Sequence, residues 1–254
     1  KCLETITGKK GRQSVWKLRN GDNDNMKIVI IYGQNHKGST YHIAHMLAEK
    51  IKGDIKEFFL PRDFGEFCVG CTKCFMESEK KCPHYEKLKP LTDAMDEADV
   101  IILASPVYVY HVTGAMKTFL DHYGYRWMVH RPQESMFRKQ GVCISTAAGA
   151  GMKQTNKDMA DSLFFWGVAK RYQYGVRVAA VNWNGVSEKK KCAIDKATSG
   201  IAKKIVNNSK HVKPGIKTRA MFWAMHFTQR KGFNPCDAEY WKSKGWTGKK
   251  RPWK

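Results

Sequence analysis

The sequence predicts an α/β fold in which helices cover both faces of a parallel sheet. Short β-branched apolar runs such as Lys27–Tyr32 and Val100–Ser105 are typical of strands that are buried on both faces. Segments with apolar residues at helical spacing lie between these runs, so strands and helices alternate along the chain. Alternation of this kind favours right-handed crossovers, which make neighbouring strands parallel.

The predicted elements follow one another over most of the chain. The first strand leads through a glycine-bearing loop into a helix that begins near Ser39. Further strands are predicted at Asp54–Leu60, Val100–Ser105, Gly141–Ser145 and Tyr174–Val178, and helices at Lys89–Ala98, Gly114–Tyr123, Gln154–Trp166 and Glu188–Lys210. Ligands of such sheets bind beyond the carboxyl ends of the strands. The candidate loops at that edge are Gly33–Thr40, Ser105–Thr113 and Ser145–Thr155.

Length and composition indicate one α/β domain with additional segments. The chain has 254 residues, enough to bury a sizeable core. We expect an N-terminal extension over 1–25, the α/β domain over 26–210 and a helical, Trp- and Lys-rich extension over 211–254. Eight cysteines are too few for a disulfide scaffold in a chain of this length, which favours the reducing cytoplasm. No apolar run approaches the roughly 18 residues of a membrane span, so no membrane partner is expected.

The net charge of +22 raises the question of a nucleic-acid partner. The excess is concentrated at the C-terminal end, where 18 Lys and Arg stand against 4 Asp and Glu from Ser187 onward. Solvated helix faces and tails usually explain such charge. The sequence contains no zinc-finger spacing, RNP motif or helix-turn-helix pairing. We therefore do not expect nucleic acid to be the partner.

The loop after the first strand could bind an anion. Ser39 and Thr40 open the following helix, where backbone N–H groups and the helix dipole favour negative charge, and His36 adds switchable charge. Gly33 and Gly38 do not complete the G-x-G-x-x-G pattern, and the order Lys-Gly-Ser-Thr differs from that of a P-loop. Taken alone, the loop is either a phosphate site or an ordinary turn between a strand and a helix.

The other two loops could accommodate a planar ligand. Pro106 ends its strand, because proline cannot donate to the hydrogen-bond ladder. Tyr108 and Tyr110 follow it and offer flat faces as well as phenol donors. The loop over 145–155 is rich in glycine and other small residues, so a flat ring could approach its backbone closely.

Together these loops resemble a known family. Gly33-x4-Gly38-Ser39-Thr40, Ser105-Pro106-Val107-Tyr108 and Gly114-x2-Lys117-x-Phe119-x-Asp121 are similar to the NAD(P)H-dependent FMN reductase branch of the flavodoxin-like superfamily. The likeness covers roughly residues 26–185. It implies a flavodoxin-like, doubly wound sheet of five parallel strands in the order 2-1-3-4-5. It also implies FMN at the carboxyl ends of the strands and a homodimer that helps to cover the flavin.

The resemblance also implies roles for individual residues. Ser39 and Thr40, with the amides of the loop through Gly38, would hold the FMN phosphate. His36 stands where relatives often have Arg, and Gln34 stands where they usually have Ser. The isoalloxazine ring would lie against Pro106, Val107, Tyr108 and Val109 on one side and Thr146, Ala147, Ala148 and Gly149 at its other edge.

A cysteine-rich loop over 62–85 lies between the second predicted strand and the second predicted helix. Cys68, Cys71, Cys74 and Cys82 form a C-x2-C-x2-C motif and a later Cys-Pro, a spacing that resembles the iron–sulfur motif of bacterial ferredoxins. Within the family, a cluster at this position resembles the iron–sulfur flavoproteins. Four thiolates suit a [4Fe–4S] cluster or zinc, and a set of thiols without metal is the third alternative.

Two functions follow from the resemblance. The first is an FMN oxidoreductase that passes electrons from NAD(P)H to a small acceptor such as a quinone, nitro or azo compound. Tyr108, Tyr110 and His111 are its candidate catalytic residues, placed to contact the substrate or the nicotinamide. The second is an electron carrier with FMN and a [4Fe–4S] cluster that serves a protein redox partner.

The C-terminal segment is expected to pack on the domain. Thr218–Thr228 is strongly apolar, with Met221, Phe222, Met225 and Phe227 near one helical face. Three tryptophans at 241, 246 and 253 stand among lysines, and such tryptophans usually anchor a segment to a surface.

Overall fold

The structure, a computed structural model, describes residues 25–254 and contains one five-stranded sheet. The strands are β1 (Lys27–Tyr32), β2 (Asp54–Phe59), β3 (Val100–Pro106), β4 (Gln140–Ala147) and β5 (Lys170–Arg177). All neighbours pair in parallel, in the order β2-β1-β3-β4-β5. The predicted flavodoxin-like sheet is thereby confirmed. Except for Asn25, the expected N-terminal extension over 1–25 lies outside the described residues.

Helices connect the strands and continue beyond the sheet. They are α1 (Ser39–Ile51), α2 (Lys73–Met76), α3 (Tyr85–Glu97), α4 (Gly114–Asp121), α5 (Met152–Phe165), α6 (Glu188–Asn208), α7 (Ile216–Arg230) and α8 (Pro235–Ser243). Short 3-10 turns lie at Glu79–Lys81, Gly124–Arg126, Glu134–Arg138 and Ser209–His211. Within residues 25–254, no helix combines the length and the apolar character that a bilayer crossing requires.

The sheet is buried on both faces because its side chains alternate with the pleat. In β1, Val29 and Ile31 belong to the cluster that side chains of α3, α4 and α5 complete. Ile28 and Ile30 belong to the cluster on the other face, with α1 and α6. All four side chains are fully buried. This double coverage leaves the strand ends as the places where the sheet can meet a ligand.

Two element boundaries differ from the prediction by several residues. Helix α3 begins at Tyr85 and contains Pro90, where the sequence predicted a start at Lys89. Leu88 and Leu91 are buried against the sheet, so packing outweighs the missing N–H of the proline. Strand β5 begins at Lys170, four residues before the predicted start at Tyr174. Its polar first half pairs with β4 at the edge of the sheet, where a strand does not need an apolar run.

The C-terminal helices pack on the segment that follows α4. Phe222, Trp241 and Trp246 are fully buried in a cluster with Met128 and Phe137. In α7 the side chain of Phe227 is 57% exposed, whereas the predicted apolar face included it. The buried positions beside Phe222 are instead Thr218, His226 and Gln229. Hydrogen bonds from His226 to Trp246 O and from Gln229 to Val129 O allow these polar side chains to be buried.

Asp237 of α8 makes the polar connection between these two parts of the chain. Its carboxylate is 1% exposed and pairs with His130 Nδ1 at 2.7 Å and with Arg131 Nη1 at 2.6 Å. The indole of Trp241 donates to His130 O at 2.6 Å. A buried carboxylate needs such partners, so Asp237 and its neighbours fix α8 against the domain.

Candidate functional site

The structure brings the three predicted loops together at the carboxyl ends of β1, β3 and β4. Thr113 Oγ1 donates to Gly33 O at 2.5 Å and so connects the first loop to the second. Val107 N donates to Thr146 O at 2.9 Å and connects the second loop to the third. The hydroxyl oxygens of Thr40 and Thr146 lie 2.7 Å apart and connect the first to the third.

The N-terminus of α1 has unused hydrogen-bond donors. Gly38 is the N-cap residue, no side chain caps the helix, and its first turn contains no acidic residue. Ser39 is 8% exposed, and its hydroxyl has no hydrogen-bond partner within residues 25–254. The first amides of a helix have no acceptor within the helix itself. These donors and the positive end of the helix dipole favour an anion at this point.

Side chains of the predicted cofactor-binding residues His36 and Gln34 surround the N-terminus of α1. The imidazole of His36 packs over Gly38, where an added Cβ would lie 2.9 Å from His36 Cε1. Gln34 is buried, and its amide donates to His36 O at 3.3 Å. The ammonium of Lys37 lies 5.0 Å from the ring centroid of Tyr41 in α1. The first loop therefore carries two basic side chains beside the helix N-terminus.

The second loop makes a tight turn that exposes its aromatic side chains. Tyr108 and His111 exchange two backbone hydrogen bonds of 3.0 Å, and between them Val109 and Tyr110 have φ angles of 48° and 66°. Positive φ is unfavourable for residues with a Cβ and most of all for a β-branched residue. Tyr108 is 52%, Val109 92% and Tyr110 65% exposed. A strained turn with exposed apolar and aromatic side chains therefore lies at the edge of the candidate site.

Asp158 of α5 holds this turn in place, and sequence reasoning did not identify it. Its Oδ2 lies 3.0 Å from His111 Nδ1 and also accepts from Val112 N at 3.3 Å. Gln154 donates to the other carboxylate oxygen at 2.9 Å. Because a carboxylate only accepts, it fixes the proton of His111 on Nδ1 and leaves Nε2 directed elsewhere.

The third loop packs closely on the second. Gly151 has a φ of 99°, and a Cβ there would lie 2.6 Å from Val107 Cγ1, so only glycine allows this approach. Thr146 is buried, Ala147 is half-buried, and Ala148 and Gly149 are exposed. Arg177, at the end of β5, donates to Ala148 O at 3.1 Å. Neither Gly151 nor Arg177 was among the predicted site residues.

Thr113 and Ser105 form the rigid base of the second loop. Thr113 Oγ1 accepts from Met116 N at 3.1 Å and so caps α4. Ser105 is fully buried, and its hydroxyl accepts from Thr113 N at 3.1 Å. A Thr directly before a predicted helix is a signal for an N-cap, so this role could have been read from the sequence.

The cysteine-rich loop lies outside these three loops. Cys68 and Cys71 are exposed, and Cys74 and Cys82 are half-buried. Burial, and secondly the neighbouring thiols, raise the pKa of Cys74 to about 11. Within residues 25–254, the group of three metal-ligand atoms that lie within 4.8 Å of one another belongs to Cys82, His84 and His122.

Comparison with known proteins identifies the family. A sequence model of the NADPH-dependent FMN reductase family matches residues 26–179. The chain belongs to that family. The match includes the whole sheet and all three loops, so the predicted family is confirmed. The predicted class of enzyme and the predicted FMN cofactor agree with this membership.

Two relatives represent the two branches that the sequence predicted. An iron–sulfur flavoprotein from Archaeoglobus fulgidus is 39% identical over 88 residues, which are 34% of this chain and 36% of the relative. An NADPH azoreductase from Bacillus sp. (strain OY1-2) is 31% identical over 130 residues, which are 50% of this chain and 61% of the relative. The chain therefore matches only part of the length of either protein.

Solved structures share the fold at low identity. An FMN-dependent NADH-azoreductase from Bacillus anthracis, solved with FMN, aligns with a TM-score of 0.51 and 11% identity, covering 69% of this chain and 99% of that one. A flavone reductase aligns with a TM-score of 0.54 and 18% identity, covering 75% of this chain and 66% of that one. These similarities establish the fold alone.

Proposed function

We propose that this chain is an NAD(P)H-dependent FMN oxidoreductase that passes electrons to a small acceptor such as a quinone, nitro or azo compound. The observation that carries the proposal is the uncapped N-terminus of α1, with the unpartnered hydroxyl of Ser39, beside an exposed aromatic turn. FMN, when bound, accepts a hydride from a reduced nicotinamide and passes the electrons on. The residues present fit FMN. Its phosphate needs an anion site, which the N-terminus of α1 provides, and its ring needs a flat apolar surface, which the aromatic turn provides.

In this proposal the first loop binds the phosphate. Ser39 and the first amides of α1 donate to its oxygens, and the hydroxyl of Thr40 stays with Thr146. His36 and Gln34 lie beside Gly38, where an imidazole and an amide donor can reach an anion. Charge-assisted hydrogen bonds of this kind are about twice as strong as neutral ones.

The other two loops would hold the flat ring. Pro106, Val107, Tyr108 and Val109 form one side, and Thr146, Ala147, Ala148 and Gly149 form the other edge. A Cβ at Gly149 would meet no atom within 4 Å, so its backbone is open to a ring. The backbone N–H and C=O groups of this small-residue loop can also orient the ring by hydrogen bonds, since such loops allow close approach.

Tyr108, Tyr110 and His111 would contact the nicotinamide or the acceptor. All three are exposed at the edge of the site, and Asp158 orients the imidazole of His111. Their tasks are stacking, orientation and exclusion of water rather than proton transfer as such. We also propose a homodimer in which a second copy covers this turn, because Val109 and Tyr110 are apolar and exposed.

The electron carrier remains the second candidate. It is supported by the spacing of the cysteines at 68, 71, 74 and 82 and by the similarity to an iron–sulfur flavoprotein. A [4Fe–4S] cluster would need all four thiolates as ligands. A protein redox partner would then replace the small acceptor.

One preparation separates the two functions. We would purify the full chain anaerobically, saturate it with FMN, and measure NADH and NADPH oxidation with a quinone, a nitroarene and an azo dye. FMN-dependent turnover of at least one acceptor supports the oxidoreductase. Four irons and four sulfides per chain without turnover would establish the carrier instead. Protein that binds FMN but has neither turnover nor iron would refute both.

A further inference from the structure

Three side chains outside the proposed flavin site converge on one point. Cys82 follows the turn Glu79–Lys81, His84 is the N-cap residue of α3, and His122 follows α4. One ligand atom of each lies within 4.8 Å of the other two. His84 Nδ1 and His122 Nε2 are 3.0 Å apart. The fold therefore assembles a sulfur and two imidazole nitrogens from separate elements.

The imidazole of His122 is held with one nitrogen directed at this point. His122 is 5% exposed, and its Nδ1 lies 2.8 Å from Thr118 O. A carbonyl oxygen can only accept, so Nδ1 carries the proton and Nε2 presents its lone pair. The ring of Phe64 packs perpendicular to the imidazole, with 4.8 Å between the ring centroids. Metal-binding histidines are typically oriented by such a hydrogen bond from the other nitrogen.

We propose that Cys82 Sγ, His84 Nδ1 and His122 Nε2 bind one divalent ion of the zinc class. Zinc prefers tetrahedral sites of sulfur and nitrogen, with Zn–N distances of about 2.0–2.1 Å. Two nitrogen ligands at these distances on a tetrahedral ion are ~3.3 Å apart. The two histidine nitrogens are 3.0 Å apart in a hydrogen bond that His84 Nδ1 donates to His122 Nε2, and this spacing is close to that separation, so an ion can take the place of the shared proton. Water or a nearby thiol completes the fourth position.

The proposed site and the four-thiolate cluster of the second candidate function are mutually exclusive, because Cys82 can be a ligand in only one of them. A mixed sulfur and nitrogen site accounts for the direction of His122 Nε2. The inference does not depend on the proposed flavin function, because the site lies outside the three flavin loops.

The test measures metal in the purified full chain and in matched variants. We expect about one zinc per chain after dialysis, and its loss in Cys82→Ser, His84→Gln and His122→Gln. His226→Gln is the histidine control, since His226 is also buried and its Nδ1 also bonds a carbonyl, Trp246 O, at 2.7 Å. Cys236→Ser is the thiol control, because Cys236 is half-buried and its thiol donates to Met76 O. Both controls should keep their zinc.

Cobalt substitution gives a second readout that does not require activity. Co²⁺ added to the zinc-free chain should give the visible bands of a tetrahedral ion with thiolate charge transfer, and His84→Gln should lose them. His84 is half-buried, so this variant should fold even where His122→Gln does not. Iron and sulfide that persist in His84→Gln and His122→Gln would overturn the proposal. A wild-type chain that retains no zinc and gives no cobalt bands would also overturn it.

Discussion

The hydroxyl oxygens of Thr40 and Thr146 lie 2.7 Å apart, joining the first turn of α1 to the end of β4. Both side chains are buried, with exposures of 1% and 5%. No water reaches a hydroxyl at this depth easily, so each depends on the other for its hydrogen bond. This bond sets the distance between the proposed phosphate loop and the loop at the other edge of the flavin.

Removing one partner of this bond should cost more than removing both. We expect Thr146→Val to lower the free energy of unfolding of the FMN-free protein by about 1–3 kcal/mol, because Thr40 Oγ1 is left buried and unpaired. The double variant T40V/T146V should recover part of this loss. Urea unfolding of the two single variants and the double variant measures the coupling.

The control for the threonine pair is Thr228→Val on α7. Thr228 is half-buried, and its hydroxyl donates to Ala224 O of its own helix in a solvent-exposed hydrogen bond, so its replacement should change the free energy of unfolding by less than ~0.5 kcal/mol. Strictly additive effects of the Thr40 and Thr146 substitutions would contradict the coupling.

Asp158→Asn should impair turnover without impairing FMN binding. The variant removes the charge that orients His111 but keeps the size of the side chain, so kcat/KM should fall by roughly 10-fold, or about 1.4 kcal/mol. The FMN affinity should stay within ~2-fold, because Asp158 contacts the turn and not the phosphate loop. Steady-state kinetics and a flavin titration on the same preparation measure both quantities.

Asp161→Asn is the matched control, one turn further along α5. Asp161 pairs with Lys157 at the surface and should tolerate the change. Equal losses of turnover in Asp158→Asn and Asp161→Asn would show that His111 orientation is not the cause.

Lys139 should make stability depend on pH in the alkaline range. Burial lowers the pKa of its ammonium from 10.5 to about 8, and its Nζ donates to Asp96 O at 2.8 Å and to Ala98 O. Below pH 8 the lysine is protonated in folded and unfolded chains alike. Between about pH 8 and 10.5 only the unfolded chain keeps the proton, so this group makes stability rise with pH.

The comparison with Lys139→Met isolates this effect. The stability of the wild type minus that of the variant should rise by up to ~1.4 kcal/mol per pH unit above pH 8 and be flat below it. Urea unfolding at a series of pH values measures the difference. Parallel curves for the two proteins would mean that Lys139 has an ordinary pKa.

Asp237→Ala should strongly destabilise the chain. The substitution leaves Arg131, whose side chain is 9% exposed, and His130 without their carboxylate. Breaking a buried ion pair in this way typically costs about 3–5 kcal/mol. The exposed pair of Lys89 and Asp93 supplies the control, and Asp93→Ala should cost less than ~1 kcal/mol. Similar unfolding midpoints for both variants would contradict the anchoring role of Asp237.

The sequence was sufficient to predict the sheet and the edge at which the loops meet. Strand cores such as Lys27–Tyr32 combine β-branched residues with a following glycine, and alternation with helices then leaves few topologies. The helix start at Ser39 was also predicted, since Ser39 and Thr40 directly precede residues whose apolar positions, from Ile43 onward, have helical spacing. These features depend on the spacing of apolar residues within short segments, which can be seen in a single sequence.

The contacts that complete the sites could not be predicted in the same way. Asp158 and His111 are 47 positions apart, and only the packing of α5 beside the turn brings them together. His84 and His122 meet because α3 and α4 lie on the same face of the sheet. The burial of His226 in place of Phe227 likewise depends on a backbone carbonyl supplied by a distant segment.

The central claim is that the N-terminus of α1 binds the phosphate of FMN, and the most direct test compares FMN with riboflavin, which lacks that phosphate. Titration by quenching of flavin fluorescence should show FMN binding at least ~100-fold tighter, a difference of about 2.7 kcal/mol, which two charge-assisted hydrogen bonds can supply. Ser39→Ala should narrow the difference by roughly 10-fold. Equal affinity for the two flavins, or no binding of either, would contradict the claim.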